Sequence, residues 1–381
     1  MQSSYRIFRL FGISVELHIT FIIVFFLFLF GASLYGLAEY RGFIGLMYGT
    51  FYGIKVFSLF LLLFGTVLIH EFAHSIVALR NGIKVPKITL TPIGGAANID
   101  VPEDPKLEFK VSIAGPLTNF VLLFLSLTIL LIFWPNFLLT INFFDYFYLD
   151  KIFEDILFVP NIFVIIVAIN LILGAFNLIP AFPMDGGRVL RSILALWIDY
   201  VEATKIAVQI SQILAILMFI AGLRFGFILI LIAFFILMAG PSEFRIVRMK
   251  HALHGMTLRS VAIPNMRYVN ESTTVKEFLD LIAYPQQDHY PVTDHSGKLI
   301  GILNIDDIKE IDQRDFDKIP VRNLTSRRFD IVDANLKIEE KIATLLTKDF
   351  ILVVDSGRVI GYLTPDHLLE IARFYGIRKM R

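Results

Sequence analysis

The chain of 381 residues contains no cysteine. That excludes disulfides and thiolate metal ligands together, so any bound ion must be held by His, Asp or Glu. Nor is there an excess of either charge. Lys and Arg number 35 and Asp and Glu 34, a net charge of +1 that gives no bulk attraction to nucleic acid, and no nucleic-acid partner is expected. No convincing cleavage site follows the first apolar stretch, 15–37, which is also too long for a signal-peptide core and is expected to be a retained span. What the chain has in abundance is apolar surface: 56% hydrophobic residues, 14% aromatic, and a mean hydropathy of +0.69. These values lie outside the range of soluble globular proteins and imply an integral membrane protein whose first partner is the lipid bilayer.

Hydropathy fits six spans, at 15–37, 56–79, 111–134, 160–180, 203–222 and 226–240. After Gly240-Pro241 the composition becomes ordinary and charged. The expected organisation is therefore a membrane domain, 1–245, followed by two soluble repeats, 250–313 and 314–381. Arg6, Arg9, Arg80, Lys84, Lys87, Lys106, Lys110, Arg188, Arg191, Arg245, Arg248 and Lys250 would share one face of the membrane. The other face would hold Arg41, Lys55, Lys151 and Arg224, with Asp145, Asp150, Glu154 and Asp155 in its largest loop. By the positive-inside rule both termini and the tail are cytoplasmic.

Within the second span stands His70-Glu71-Phe72-Ala73-His74. Glu71 is the only formally charged side chain between residues 55 and 80, and an ionisable group there costs roughly 2.5–3.5 kcal/mol even on the lenient insertion scale. Residues i and i+4 share a helix face, so both histidines can reach one zinc ion while Glu71, beside them, handles protons. His70 precedes Arg80 by about 15 Å of helix, so the ion would lie well below the cytoplasmic surface, reached by water through a polar cavity.

A catalytic zinc site normally takes three protein ligands and leaves one position open. Residues 75–78 supply no third histidine; Glu103 and Glu108 fall in a polar cytoplasmic stretch. Asp185 is the better candidate. It closes an uncharged run, 160–184, with Pro180 and Pro183 before it and Gly186-Gly187 after it, and such irregular backbone at membrane depth is tolerated only where it lines a cavity.

Taken together, His70-Glu71-x-x-His74 in one span, and Asn177-x-x-Pro180 with Asp185-Gly186 at the end of a later one, resemble the site-2 protease family of intramembrane metalloproteases. Gly94-Gly95 and the run Ala114-Gly115-Pro116-Leu117-Thr118-Asn119 extend the resemblance through the membrane region. It implies that His70, His74 and Asp185 bind zinc, that Glu71 is the general base and that Asn177 lines the active site. Asn177 would either donate to the developing oxyanion or tie two helices together. Gly94, Gly95 and Asn119 are expected on the substrate path.

A transmembrane substrate must be unwound before its peptide bonds can be reached. The alternation in Lys87-Ile88-Thr89-Leu90-Thr91, ended by Pro92 and Gly94-Gly95, reads as an edge strand able to hold an extended substrate, or as a hairpin packed over the site.

Beyond Met256 a unit of about 60 residues repeats. Segments 269–275 and 332–338 correspond, as do Tyr290-Pro291-Val292-Thr293-Asp294 and Ile351-Leu352-Val353-Val354-Asp355. The repeat resembles a tandem pair of CBS modules, which implies an α/β pair that often dimerises and often binds adenine nucleotides (ATP, ADP or AMP). Of the usual nucleotide pattern, the first copy keeps Asp307 but has Asn304, and the second keeps Thr364 but has His367. The expected fold is thus a helical polytopic membrane core with a small β element after its second helix, plus a soluble α/β CBS pair through which a homodimer would form. The expected activity is zinc-dependent cleavage of single-span membrane proteins, modulated by nucleotide at Asn304, Asp307 and Thr364. The alternative from another class is a CBS-regulated ion channel or transporter, which would have no need of Glu71 beside two ligands.

Overall fold

A computed structural model describes residues 4–39, 42–92, 94–97, 99, 101–141, 156, 158–264, 266–282, 287–309, 311–326, 329–340, 342–346, 350–356 and 358–379. Its contacts divide into two units, Met1–Glu243 and Phe244–Arg381. The loop expected to carry Asp145, Asp150, Lys151, Glu154 and Asp155 lies outside the described residues, as does Arg41.

The first unit opens on a hairpin, β1 (Ser4–Leu10) and β2 (Ile13–His18), turned at Phe11 and Gly12, both with positive φ. This corrects the expected start of the first span. Residues 15–18 form a strand because Ile13 and Val15 point into the core while Glu16 turns the other way, to Ser4 and to Lys87 Nζ, 2.9 Å away. Those two partners hold the Glu16 carboxyl below its ordinary pKa, with the Ser4 hydrogen bond the larger cause. Strand β2 then pairs in parallel with β3 (Lys87–Thr91), and β3 pairs antiparallel with β4 (Gly94–Ala97), giving the order β1-β2-β3-β4. The β element is therefore larger than expected, β3 is internal, and the edge beyond it is β4.

Helix α1 (Ile19–Glu39) follows β2, with a shorter apolar stretch over Ile19–Gly31. Among the described residues, five helices are long and apolar enough to cross a membrane. These are α2 (Gly42–Arg80) over its part Met47–Arg80, α3 (Pro105–Phe133), α4 (Val159–Asn177), α6 (Tyr200–Phe225) and α7 (Phe227–Ala252). Between α4 and α6 lies the shorter α5 (Asp185–Leu194). Helix α3 starts where Asp104 accepts from the amides of Lys106 and Leu107 and Pro105 takes the first position, a strong N-terminal signal. Asp199 caps α6 in the same way through Val201 N. Helix α7 continues through Pro241, past the point where the apolar run ends.

The second unit holds two three-stranded sheets of one design. In the first, β5 (Val269–Asn270) is parallel to β6 (His289–Thr293), which is antiparallel to β7 (Leu299–Asn304). In the second, β8 (Phe329–Asp333), β9 (Phe350–Asp355) and β10 (Arg358–Leu363) repeat that order, and α8 (Pro365–Lys379) follows. The segment preceding each copy bonds to the other copy. Thr257 bridges to Lys337 and Ile263 to Tyr362, while Pro320 bridges to Thr274 and Ser326 to Ile302. Leu258 and Val261 are accordingly buried with Ile338, Ile351 and Leu363, and Val321 with Val269, Tyr290 and Leu303. Each core is completed by the neighbouring repeat's leader, so neither repeat buries its apolar face alone.

Candidate metal centre and active site

Both histidines of α2 are buried, and their side-chain bonds settle which ring nitrogen faces which way. His74 Nδ1 lies 2.6 Å from the carbonyl of Val111 on α3; a carbonyl only accepts, so Nδ1 carries a proton and, in the neutral ring that binds metal, Nε2 is bare. For His70 the orientation is set through two amides. Asn170 Nδ2 donates to the Ile166 carbonyl at 2.8 Å, which turns its Oδ1 to accept from Asn119 Nδ2 at 2.9 Å. Asn119 must then present Oδ1 to His70 Nδ1, 2.5 Å away, and His70 Nε2 is bare as well.

The two Nε2 atoms are 3.0 Å apart, and each is 3.1 Å from Asp185 Oδ2. These three atoms form the metal-competent cluster found among the described residues, lying within 4.8 Å of one another. Two imidazole lone pairs and a carboxylate at such distances repel unless a cation lies among them. Two N donors and one O donor, each imidazole oriented by a hydrogen bond on its far side, suit zinc and leave a coordination position for solvent or substrate. The close approach of α3 to this cluster depends on Gly115, where a Cβ would stand 2.6 Å from His70 Nε2 and closer still to His74.

Asp185 arrives from the irregular segment that the prolines and glycines forecast. Phe182 N donates to Ser211 Oγ of α6 at 2.9 Å and Met184 N to the Ala181 carbonyl, fixing the turn from which α5 begins with Asp185. Further along α5, Arg191 is buried with Glu108 of α3, which accepts from its Nε at 3.0 Å and from its Nη2, and from Tyr200 Oη at 3.0 Å. Glu243 of α7 takes Arg191 Nη1 at 3.0 Å. Burial alone would lower the guanidinium's pKa, but Glu108 chiefly outweighs it and holds the charge firmly on. Glu108, one of the alternative third ligands, is thereby committed elsewhere.

A cavity of about 520 Å³ opens on the cluster. Glu71 and Asn177 line it beside His70, His74 and Asp185; so do Gly94 and Gly95, with Val67, Leu173 and Phe176 among the apolar walls. Strand β4 runs against Glu71: a Cβ on Gly95 would stand 3.0 Å from the carboxyl carbon and 3.2 Å from Oε1. The fold therefore brings together His70, Glu71, His74, Asn177, Asp185, Gly94 and Gly95. Asn119, expected on the substrate path, instead lies fully buried behind His70.

Asn170 is a further functional residue, absent from the expected site. Its only signal is an amide in an otherwise uncharged span, and the Val111 carbonyl leaves no signal at all. In the second unit, Asn304 Oδ1 accepts from Asp306 N and Thr364 Oγ1 from His367 N, so both act as helix caps, while Asp307 is exposed. A cavity of about 320 Å³ there is lined by Ser260, Ile263, His367 and Tyr375 among others, and by none of those three residues.

The family model for peptidase family M50 matches residues 58–220, and that for the CBS domain matches 258–313. Zinc metalloprotease MJ0392 of Methanocaldococcus jannaschii is 34% identical over 374 residues, covering 97% of this chain and 96% of that protein. The chain belongs to peptidase family M50, the site-2 protease family. Another relative, sll0528 of Synechocystis, is 32% identical over 332 residues and covers 81% of each chain. A solved structure, the site-2 protease from Methanocaldococcus jannaschii, is 37% identical and covers 63% of this chain and 94% of its own, with a TM-score of 0.42. As a member of this family the chain is a membrane-embedded zinc metalloprotease with a CBS domain, and the channel or transporter alternative falls away.

Proposed function

We propose that the chain is an intramembrane endopeptidase that cuts the transmembrane segments of single-span membrane proteins, with His70, His74 and Asp185 holding the zinc. The observation that carries this reading is the shared cavity: Glu71 and Asn177 open on the same space as the three ligand atoms, with the β4 edge alongside. Zinc bound there would supply a Lewis acid for the scissile carbonyl and acidify water. The Glu71 carboxylate takes the proton from the attacking water and delivers it to the leaving amine. The Asn177 amide donates to the substrate carbonyl as negative charge develops on its oxygen. A substrate unwound into an extended strand adds to β4, its main chain pairing with the sheet edge beside Glu71, and the lack of a side chain at Gly95 leaves room for that carboxyl.

Both termini and the CBS pair are assigned to the cytoplasm on the distribution of basic residues. The CBS pair is assigned adenine nucleotide, through Asn304, Asp307 and Thr364, and a role in homodimer formation. The test is to incubate purified protein in detergent with candidate single-span proteins, with and without 1,10-phenanthroline, and to locate the cut by mass spectrometry. Zinc-dependent cuts inside the apolar segment support the proposal; cuts confined to flanking soluble regions would contradict it.

A further inference from the structure

Away from the catalytic cavity, a recess of about 280 Å³ lies between α7 and α8 within the unit Phe244–Arg381. Its floor is apolar: Met249 of α7 and Leu369 and Ala372 of α8. Its rim carries three exposed arginines, Arg245, Arg248 and Arg373. The spacing explains the layout. Residues 245, 248 and 249 stand at i, i+3 and i+4 on one helix face, and 369, 372 and 373 repeat this on the other helix. Burial of Met249 and Ala372 in one core cluster holds the two faces together.

None of the three arginines has an ion-pair or hydrogen-bond partner among the described residues. Elsewhere in the same unit Arg259 pairs with Asp355, Arg314 with Asp312 and Arg322 with Glu271. Among the described residues no carboxylate lines the recess, so three guanidinium groups face one space without compensation. Planar guanidinium forks match the oxygens of phosphate in pairs. The position along the chain adds a second constraint. Arg245 and Arg248 follow Gly240, the end of the last apolar run, by five and eight residues of continuous helix, or about 7.5 and 12 Å. Along the chain they therefore rank as juxtamembrane basic residues, the kind that anionic headgroups attract.

We propose that this recess binds a phosphate-bearing anion, supplied as the headgroup of an anionic membrane lipid. The phosphate sits among the three guanidinium groups, and the first carbons of the lipid cover Met249, Leu369 and Ala372. The site is separate from Asn304, Asp307 and Thr364 and does not depend on the proteolytic reading.

The test uses the full chain in detergent and native mass spectrometry with dioctanoyl phosphatidic acid, dioctanoyl phosphatidylcholine and inorganic phosphate as probes. Wild type is compared with R245Q/R248Q/R373Q and with a charge-matched control, K309Q/R314Q/K318Q. One phosphatidic acid per chain is expected, bound on the order of 100-fold more weakly by the rim variant, since each arginine near the surface contributes about fivefold. The control should bind as wild type does, and phosphatidylcholine should bind weakly to all three. Equal phosphatidic acid affinity in the rim variant and the control would overturn the site. Should the triple variant fail to fold, Arg373→Gln alone decides: a loss of about fivefold supports the site, and no loss overturns it. Inorganic phosphate bound as tightly as the lipid, with the same arginine dependence, would overturn the bilayer as the source.

Discussion

Asn119 Oδ1 stands 2.5 Å from His70 Nδ1, and Asn119 is itself held by Asn170. A fully buried amide on α3 thereby fixes the tautomer and ring orientation of a proposed zinc ligand on α2. Asn119→Leu removes the acceptor while keeping the volume, so it should weaken zinc binding about 10- to 100-fold, the usual effect of losing a ligand's outer partner. Competition with a fluorescent zinc chelator measures this, and unchanged affinity would reduce Asn119 to a packing residue.

Arg191 and Glu108 tie α5 to α3, with side chains only 5% and 3% exposed. Glu108→Gln leaves a buried guanidinium with Glu243 as its one carboxylate, and should destabilise the membrane unit by about 3 kcal/mol. Glu243, whose side chain is 29% exposed, matters less: Glu243→Gln should cost below about 1 kcal/mol. Hydrogen exchange over α5 distinguishes the two, since only the first should speed opening around Asp185.

Much of this arrangement was legible in the sequence because its chemistry is local. His70, Glu71 and His74 lie within one helical turn and a half, and Asp185 sits in a proline- and glycine-marked break. The partners that orient them come from far along the chain, as with Asn170 and the Val111 carbonyl, and nothing in local composition marks such pairings. The N-terminal hairpin was missed because residues 15–18 adjoin an apolar run, and hydropathy alone does not weigh the alternation of Ile13, Val15 and Leu17 against it. In the tail the repeat was visible, but the exchange of leaders was not, since it is a matter of which copy buries Leu258 and Val321.

Two glycines separate metal binding from substrate handling. Gly115→Ala places a methyl group against both imidazoles and should remove zinc and cleavage together. Gly95→Ala crowds Glu71 and leaves the ligands untouched, so zinc should remain stoichiometric while cleavage falls at least tenfold. Elemental analysis beside a cleavage assay separates them; zinc loss in Gly95→Ala would mean that β4 supports the ligands rather than the substrate.

Control by the tail requires nucleotide to favour one conformational state over another. If ATP, ADP or AMP binds through Asp307 and Thr364, Asp307→Ala and Thr364→Ala should weaken it, and saturating nucleotide should shift cleavage through a coupling of about 5- to 150-fold. Isothermal titration with parallel cleavage assays reads both quantities. Absence of binding by all three nucleotides would leave the pair an assembly module.

Glu71 is assigned the proton transfers beside a metal it does not hold. The most direct measurement is zinc content and cleavage of a single-span substrate, in the same preparation, for wild type and Glu71→Gln. One zinc per chain is expected in both, with cleavage reduced roughly 100-fold or more in the variant. Undiminished cleavage, or loss of stoichiometric zinc from Glu71→Gln, would overturn that assignment.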